Sequence, residues 1–420
     1  MVAGCSSAGG PTSTTTPTQT LTESDTPTES GTPSGPSLSP SATLGEAIPG
    51  ERTFFGGSVA LSSDGSTALV GARDDERDGE ATGAAYVFGR ADGGWERRDT
   101  LLAGDAAAGD WFGRAVALSG DGSVALVGAP LKRTTGGAEA GVGYAFAVDD
   151  GEWRQTARIT PGDGDDIDHF AENLALADDG ETAILAAPGD DSEALGAVGS
   201  KGSAYVFDGD WTEQTKITFT EPEDSPRLGS AVSLSADGSV ALIGAENDDG
   251  RLGSAFVFER GADGWSRTTK LSLDGPEKDD SFGDAVALSG DATTALVGAS
   301  YRDTDRGQNA GSVTFFEETD DGWERTTTRS PDHTREDDHF GEAVSLSSDG
   351  TAAVVGIGDE YARGPYGYIR DEDGWTRRSE LDPGPGELTE YLGLGVDIDA
   401  GGTTALVGAP GSDASYVFSR

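Results

Sequence analysis

The chain reads as an all-β protein. It is expected to form a seven-bladed β-propeller of four-stranded antiparallel blades, the last blade closed by an N-terminal strand. Three observations predict this. First, a short mark recurs every 52 to 58 residues, at Phe55-Gly56, Phe112-Gly113, Phe170-Ala171, Leu228-Gly229, Phe282-Gly283, Phe340-Gly341 and Leu392-Gly393. Second, a turn pair (Asp64-Gly65 in the first copy) and a small pair (Gly71-Ala72) follow eight and fifteen residues after the glycine in every copy. A fixed period of this length means one supersecondary unit copied and stacked. Third, the last copy lacks a segment that the first six possess, and a matching segment stands at the start of the chain.

The fourth copy shows what each unit builds. Leu228 to Ser235 alternates small or apolar residues with polar ones, the period-2 pattern of a strand. Asp237-Gly238 is a hairpin turn, and Val240 to Ala245 is a continuous apolar run that reads as a buried second strand. Ser254 to Phe258 supplies a third strand, and Trp265 to Leu271 a fourth. Seven such meanders placed radially bury both faces of each blade against its neighbours. The Phe, Trp and Tyr of the pattern are therefore expected as core.

Ring closure follows from spacing. The fourth strand carries a Trp with a partner six residues later, as in Trp95/Leu101 and Trp265/Leu271, and that partner lies 11 residues before the next mark. Eleven residues before Phe55 stands Leu44, and six before that stands Leu38. Leu38 to Leu44 is thus the expected outer strand of the seventh blade, with Leu38 in the Trp position and Pro40 tolerated on a free edge.

The formal net charge is −46 with a pI near 4.1, and 75 acids face 29 basic residues. Such a surface repels nucleic acid and anionic lipid headgroups, and it suits a carboxylate-rich protein kept hydrated in concentrated salt. Residues 6–37 are nearly all Thr, Ser, Pro and Gly with no Lys or Arg, which is too little apolar surface to fold. They read as a disordered stalk leading to a propeller over 38–420. The one cysteine, Cys5, excludes an internal disulfide.

Val2-Ala3-Gly4-Cys5 resembles the lipobox of prokaryotic lipoproteins, with Cys5 as the lipidated residue of a segment spanning 1–5. The residues before it are too few to hold a charged and an apolar leader region, so this expectation places the true start upstream of Met1. The line Phe112 to Pro130 (Phe-Gly-x-x-Val-x-Leu-Ser-x-Asp-Gly-x-x-Ala-Leu-Val-Gly-Ala-Pro) resembles the FG-GAP repeat, in the short form of prokaryotic surface proteins related to the integrin α propeller. The resemblance implies an extracellular binding or adhesion propeller without a defined ligand, so a cell-surface module for protein or glycan partners is expected, held at the membrane only by the lipid on Cys5. No enzymatic activity is expected, and the acidic surface argues against a nucleic-acid partner. Integrin-type repeats hold Ca²⁺ between the first two strands with alternating acids. Here that loop shrinks to Ser62-Ser63-Asp64-Gly65-Ser66-Thr67, with one carboxylate, so the calcium sites are not carried over.

The long acidic loops, the 11-residue connectors and all three histidines (His169, His333, His339) fall on the face opposite the Asp-Gly turns. That face is the better candidate for binding. Asp163, Asp165 and Asp168 form the densest acidic cluster, and Ca²⁺ or Mg²⁺ there competes with a solvated acidic surface. His169 and His339 share one repeat position beside the mark, which favours turn or packing contacts over catalysis. No nucleophile–base set, phosphate loop or Cys/His metal spacing stands out. A monomeric propeller is expected. A cation-dependent surface enzyme acting on glycans and a passive envelope protein are the alternatives. Acids with raised pKa converging at the axial mouth would favour the enzyme, and an exposed aromatic patch would favour the binder.

Overall fold

A computed structural model describes residues 37–45, 52–135, 138–191, 200–219, 226–332, 334–359, 364–384 and 390–420. Cys5 and nearly all of the expected stalk lie outside them, as does His333. Seven sheets follow one another along the chain, each built on antiparallel strands that run outward in chain order from the inner strand, with N-terminal strands added at the outer edges of blades six and seven. In blade one these are Phe55–Leu61, Thr67–Ala72, Ala84–Ala91 and Gly94–Leu101. The fourth copy forms Leu228–Leu234, Val240–Ala245, Ser254–Gly261 and Gly264–Leu271, close to the expected bounds.

The apolar second strands are buried because both their faces meet neighbouring blades. The Phe of each mark is core: Phe112 is fully buried and meets Tyr144 and Phe146 of its own blade edge-on, at centroid distances of 5.5 and 6.1 Å. Burying such a ring contributes roughly 1.5–3 kcal/mol. The recurring glycines permit close approach between blades. A Cβ on Gly71 would stand 2.1 Å from the carbonyl oxygen of Gly113 in the next blade, and one on Gly408 would stand 1.9 Å from that of Gly56.

The Asp-Gly turns have more work than the positive φ that predicts them. Gly65 takes the left-handed conformation (φ 64°), while the Asp64 carboxylate accepts from the Ser62 hydroxyl at 2.7 Å and the Ser66 amide at 2.9 Å. Hydrogen bonds from Ser66 and Ser62 hold the Asp64 carboxyl below its usual range. Next to these turns, backbone hydrogen bonds of 2.8–3.1 Å close a belt around the axis. Ser63 N–H donates to Gly120 O, Gly120 to Asp178, Asp178 to Ala236 and Ala236 to Gly290; Asp291 donates to Ser348, Ser348 to Ala400, and Ala400 back to Ser63.

The N-terminal strand closes the last blade as expected, with one correction. Ala42–Gly45 pairs antiparallel with Ala414–Ser419, and Leu44 opposes Ser415 as Leu101 opposes Ala85 in blade one. Leu38, however, does not take the Trp position of blade seven. Ser37–Leu38 lies parallel to the outer strand of blade six, with Leu38 beside Leu381, as a fifth strand of that sheet. Pro40, which has no N–H to donate to a ladder, stands between the two pairings. The chain crosses between blades there, and Leu38 packs among residues of both, including Leu381 and Phe418.

Candidate functional site

The face opposite the Asp-Gly turns is built around seven tight turns, one per blade, at the entrance to each inner strand. The residue before the mark takes a left-handed backbone in every blade: Phe54, Trp111, His169, Arg227, Ser281, His339 and Tyr391 have φ between 52° and 60°. Each carbonyl accepts from the amide three residues on, as Phe54 O does from Gly57 at 3.1 Å and His339 O from Glu342 at 3.2 Å. Holding an L-residue there costs roughly 1–2 kcal/mol. One backbone geometry thus presents seven side chains of six kinds around the axial mouth. The expected turn role of His169 and His339 agrees with this arrangement.

The ring is chemically uneven. Blades seven, one and two contribute Tyr391, Phe54 and Trp111. The Arg73 guanidinium lies 3.7 Å from the Phe54 ring centroid and 4.8 Å from that of Trp111. Such stacking is worth about 0.5–2 kcal/mol. Burial and the nearby Arg114 lower the Arg73 pKa. Blades three to six contribute carboxylates. Glu172 faces Arg114 at 3.6 Å and His169 at 3.5 Å; burial works against its charge, yet His169 and Arg114 hold its pKa low. The same contact with Glu172 raises the pKa of His169. Glu246 accepts from Arg227 at 2.7 Å, but burial and the charges of Glu172 and Glu342 raise its carboxyl. Asp284 is pushed up further, by burial first and then by Glu342. Its Oδ2 accepts the Ser300 amide at 3.0 Å, while its buried Oδ1 has no hydrogen-bond partner among the described residues. Tyr301, 46% exposed, meets His339 edge-on at 4.6 Å.

The acidic cluster read from the sequence is divided among different partners. Asp163 accepts from the Tyr205 hydroxyl at 2.9 Å and faces Lys216 at 2.8 Å. Asp168 accepts the Asp165 amide at 2.6 Å, and burial pushes its carboxyl up to about 6. The Asp165 side chain is exposed. Asp110, Asp280 and Asp338 close the same connector in their own blades, accepting the amide three residues back at 2.6–2.8 Å. Asp168 is thus one of a series of loop caps. Among the described residues no three His, Cys, Asp or Glu side chains converge as metal ligands.

The FG-GAP repeat profile matches five stretches, residues 50–88, 95–146, 153–207, 211–258 and 265–316, more than half of the chain. The chain belongs to the FG-GAP repeat family. The second to fifth matched stretches are offset from the blades by one strand. Residues 95–146, for example, join the outer strand of blade one to the first three strands of blade two. A repeat phased this way leaves the last blade one strand short, which is the strand that Ala42–Gly45 restores. Comparison with curated proteins finds no match.

The mouth residues Arg73, Glu246 and Tyr301 escaped sequence reading. They follow the Gly-Ala pair of their blades, where the pattern ends and nothing local marks them. The ring before the mark carried a usable signal: the same offset holds Phe54, Trp111, His169, His339 and Tyr391.

Proposed function

We propose that this FG-GAP propeller is a cell-surface binding or adhesion module, lipid-anchored through Cys5, whose loop face takes a protein or glycan partner. The observation that carries this reading is the ring of seven left-handed turns, in which one strained backbone geometry displays Phe54, Trp111, His169, Arg227, Ser281, His339 and Tyr391 around a single mouth. Apart from the two histidines, these strained and identically posed positions carry unlike side chains, which suits recognition better than packing. The aromatic part of the ring offers stacking surface for a sugar ring or an aromatic side chain. The resemblance of the start of the chain to a lipobox supports the anchor, and the proposed unit is a monomer that does not bind nucleic acid.

A test on the full chain compares the wild type with a Phe54→Ala/Trp111→Ala/Tyr391→Ala variant on a glycan array and on envelope proteins separated by size. Equal melting temperatures with loss of the bound species in the variant are expected. Unchanged binding would sink the loop-face reading. Mass spectrometry of membrane-extracted protein should find lipid on Cys5, and an unmodified thiol there would rule the anchor out.

A second reading, a surface enzyme acting on glycans, draws on the raised carboxyls of Glu246 and Asp284 at the same mouth. Turnover of an envelope polysaccharide by the wild type and its loss in Asp284→Asn would favour it over the first.

A further inference from the structure

Each blade's inner strand is a sheet edge, so its unpaired backbone groups face the propeller axis. Between the inner strands and the belt of turn hydrogen bonds lies a cavity of about 270 Å³, lined from all seven blades. At one position of its wall six blades place Ala60, Ala117, Ala175, Ser233, Ala287 and Ser345, whereas the seventh places Asp397.

The donors around Asp397 are all neutral. Oδ2 accepts the Leu61 amide at 2.7 Å, and Oδ1 accepts the Ser345 hydroxyl at 2.8 Å and the Ile398 amide at 2.9 Å. One lone-pair direction of Oδ2 remains. No Lys, Arg or His among the described residues offsets the charge, and the charged neighbour that acts on it is another carboxylate, Asp399. Burial pushes the carboxyl up to about 6, so near neutrality the cavity holds an uncompensated negative charge. Asp397 is partly buried on the cavity wall, and charges held away from bulk water are ordinarily paired or coordinated. Nearer the loop face, Asp284 just before the inner strand of blade five and Glu342 within that of blade six are further carboxylates on the axial side of the ring.

We propose that the axial cavity binds one small alkali cation against Asp397. A divalent ion would require several carboxylates, and this wall supplies one carboxylate together with neutral backbone and hydroxyl oxygens. The site does not depend on the loop-face reading and stands or falls separately.

Two measurements test it. Crystals of the full chain soaked in thallium(I) acetate should show an anomalous peak on the axis beside Asp397, and a clean map there would overturn the proposal. Melting temperatures are also compared in KCl, NaCl and N-methylglucamine chloride at equal ionic strength and pH 8, for the wild type and for Asp397→Ser, the residue that blades four and six carry. The wild type should melt about 2–4 °C higher with a small cation than with the bulky one, and the variant should lose that difference. A gap between KCl and NaCl identifies the ion. An equal cation response in both proteins refutes the site. If Asp397→Ser does not fold, Asp397→Asn keeps the shape without the charge and serves in its place.

Discussion

Asp397 accepts the Leu61 amide at 2.7 Å, so a carboxylate of the last blade holds the inner strand of the first across the join of the ring. Its other oxygen reaches Ser345 of blade six, and one side chain ties three consecutive blades together. Closure therefore has two parts, the N-terminal strand at the rim and this carboxylate at the axis.

A pH dependence follows. Burial raises the Asp397 carboxyl from 3.8 to about 6, so the folded state binds this proton more tightly than the unfolded state. The stabilisation is complete below about pH 4 and is lost as pH rises through 6, a change on the order of 3 kcal/mol. Urea unfolding of the wild type and Asp397→Asn between pH 4 and 8, in N-methylglucamine chloride, should give curves whose difference changes across that window. A pH-independent difference would contradict the assignment.

Lys132 is a buried cation, 6% exposed, whose Nζ lies 2.7 Å from Asp110 Oδ2. Removing one partner strands the other charge. Lys132→Met is expected to cost about 3 kcal/mol, and Lys132→Met/Asp110→Asn should recover part of that in a double-mutant cycle. A double-variant loss equal to the sum of the two single losses would show that the pair is not coupled.

At the seam, Gly408→Ala places a methyl group against Gly56 O and is expected to cost about 1–3 kcal/mol, read as a lower urea midpoint. Blade three already carries Ala186 at this repeat position, opposite Gly229. Ala186→Gly should therefore not stabilise the protein, and a stabilised variant would mean that this contact is overpacked.

Leu44 is 2% exposed within blade seven, whereas Leu38 is only partly buried between blades six and seven. Leu44→Ala should cost about 2–5 kcal/mol, and Leu38→Ala clearly less. Equal losses would argue that the Ser37–Leu38 crossing is as much a part of closure as the strand that follows it.

The repeat made most of the scaffold legible in the sequence. Leu44 could be placed because an outer-strand leucine keeps a constant distance from the next mark, a purely local relation. Leu38 was misplaced because the count assumed one continuous strand through Pro40, where the chain instead crosses to blade six. His169 and His339 were legible as turn residues from their shared position. Arg73 was not, because its stack joins Phe54 of blade one to Trp111 of blade two, and no spacing within one repeat encodes a contact between two.

The sequence by itself determined the number of blades, the strand order, the turns and the blade that the N-terminus completes. These are properties of hydrophobic period and turn chemistry over a few residues, copied seven times. The tertiary structure alone decided the aromatic and acidic sides of the mouth, the path of Leu38 and the setting of Asp397. Leu61 and Asp397 lie 336 residues apart and meet only because the ring closes. The burial that shifts the Asp397 carboxyl does not exist until it has.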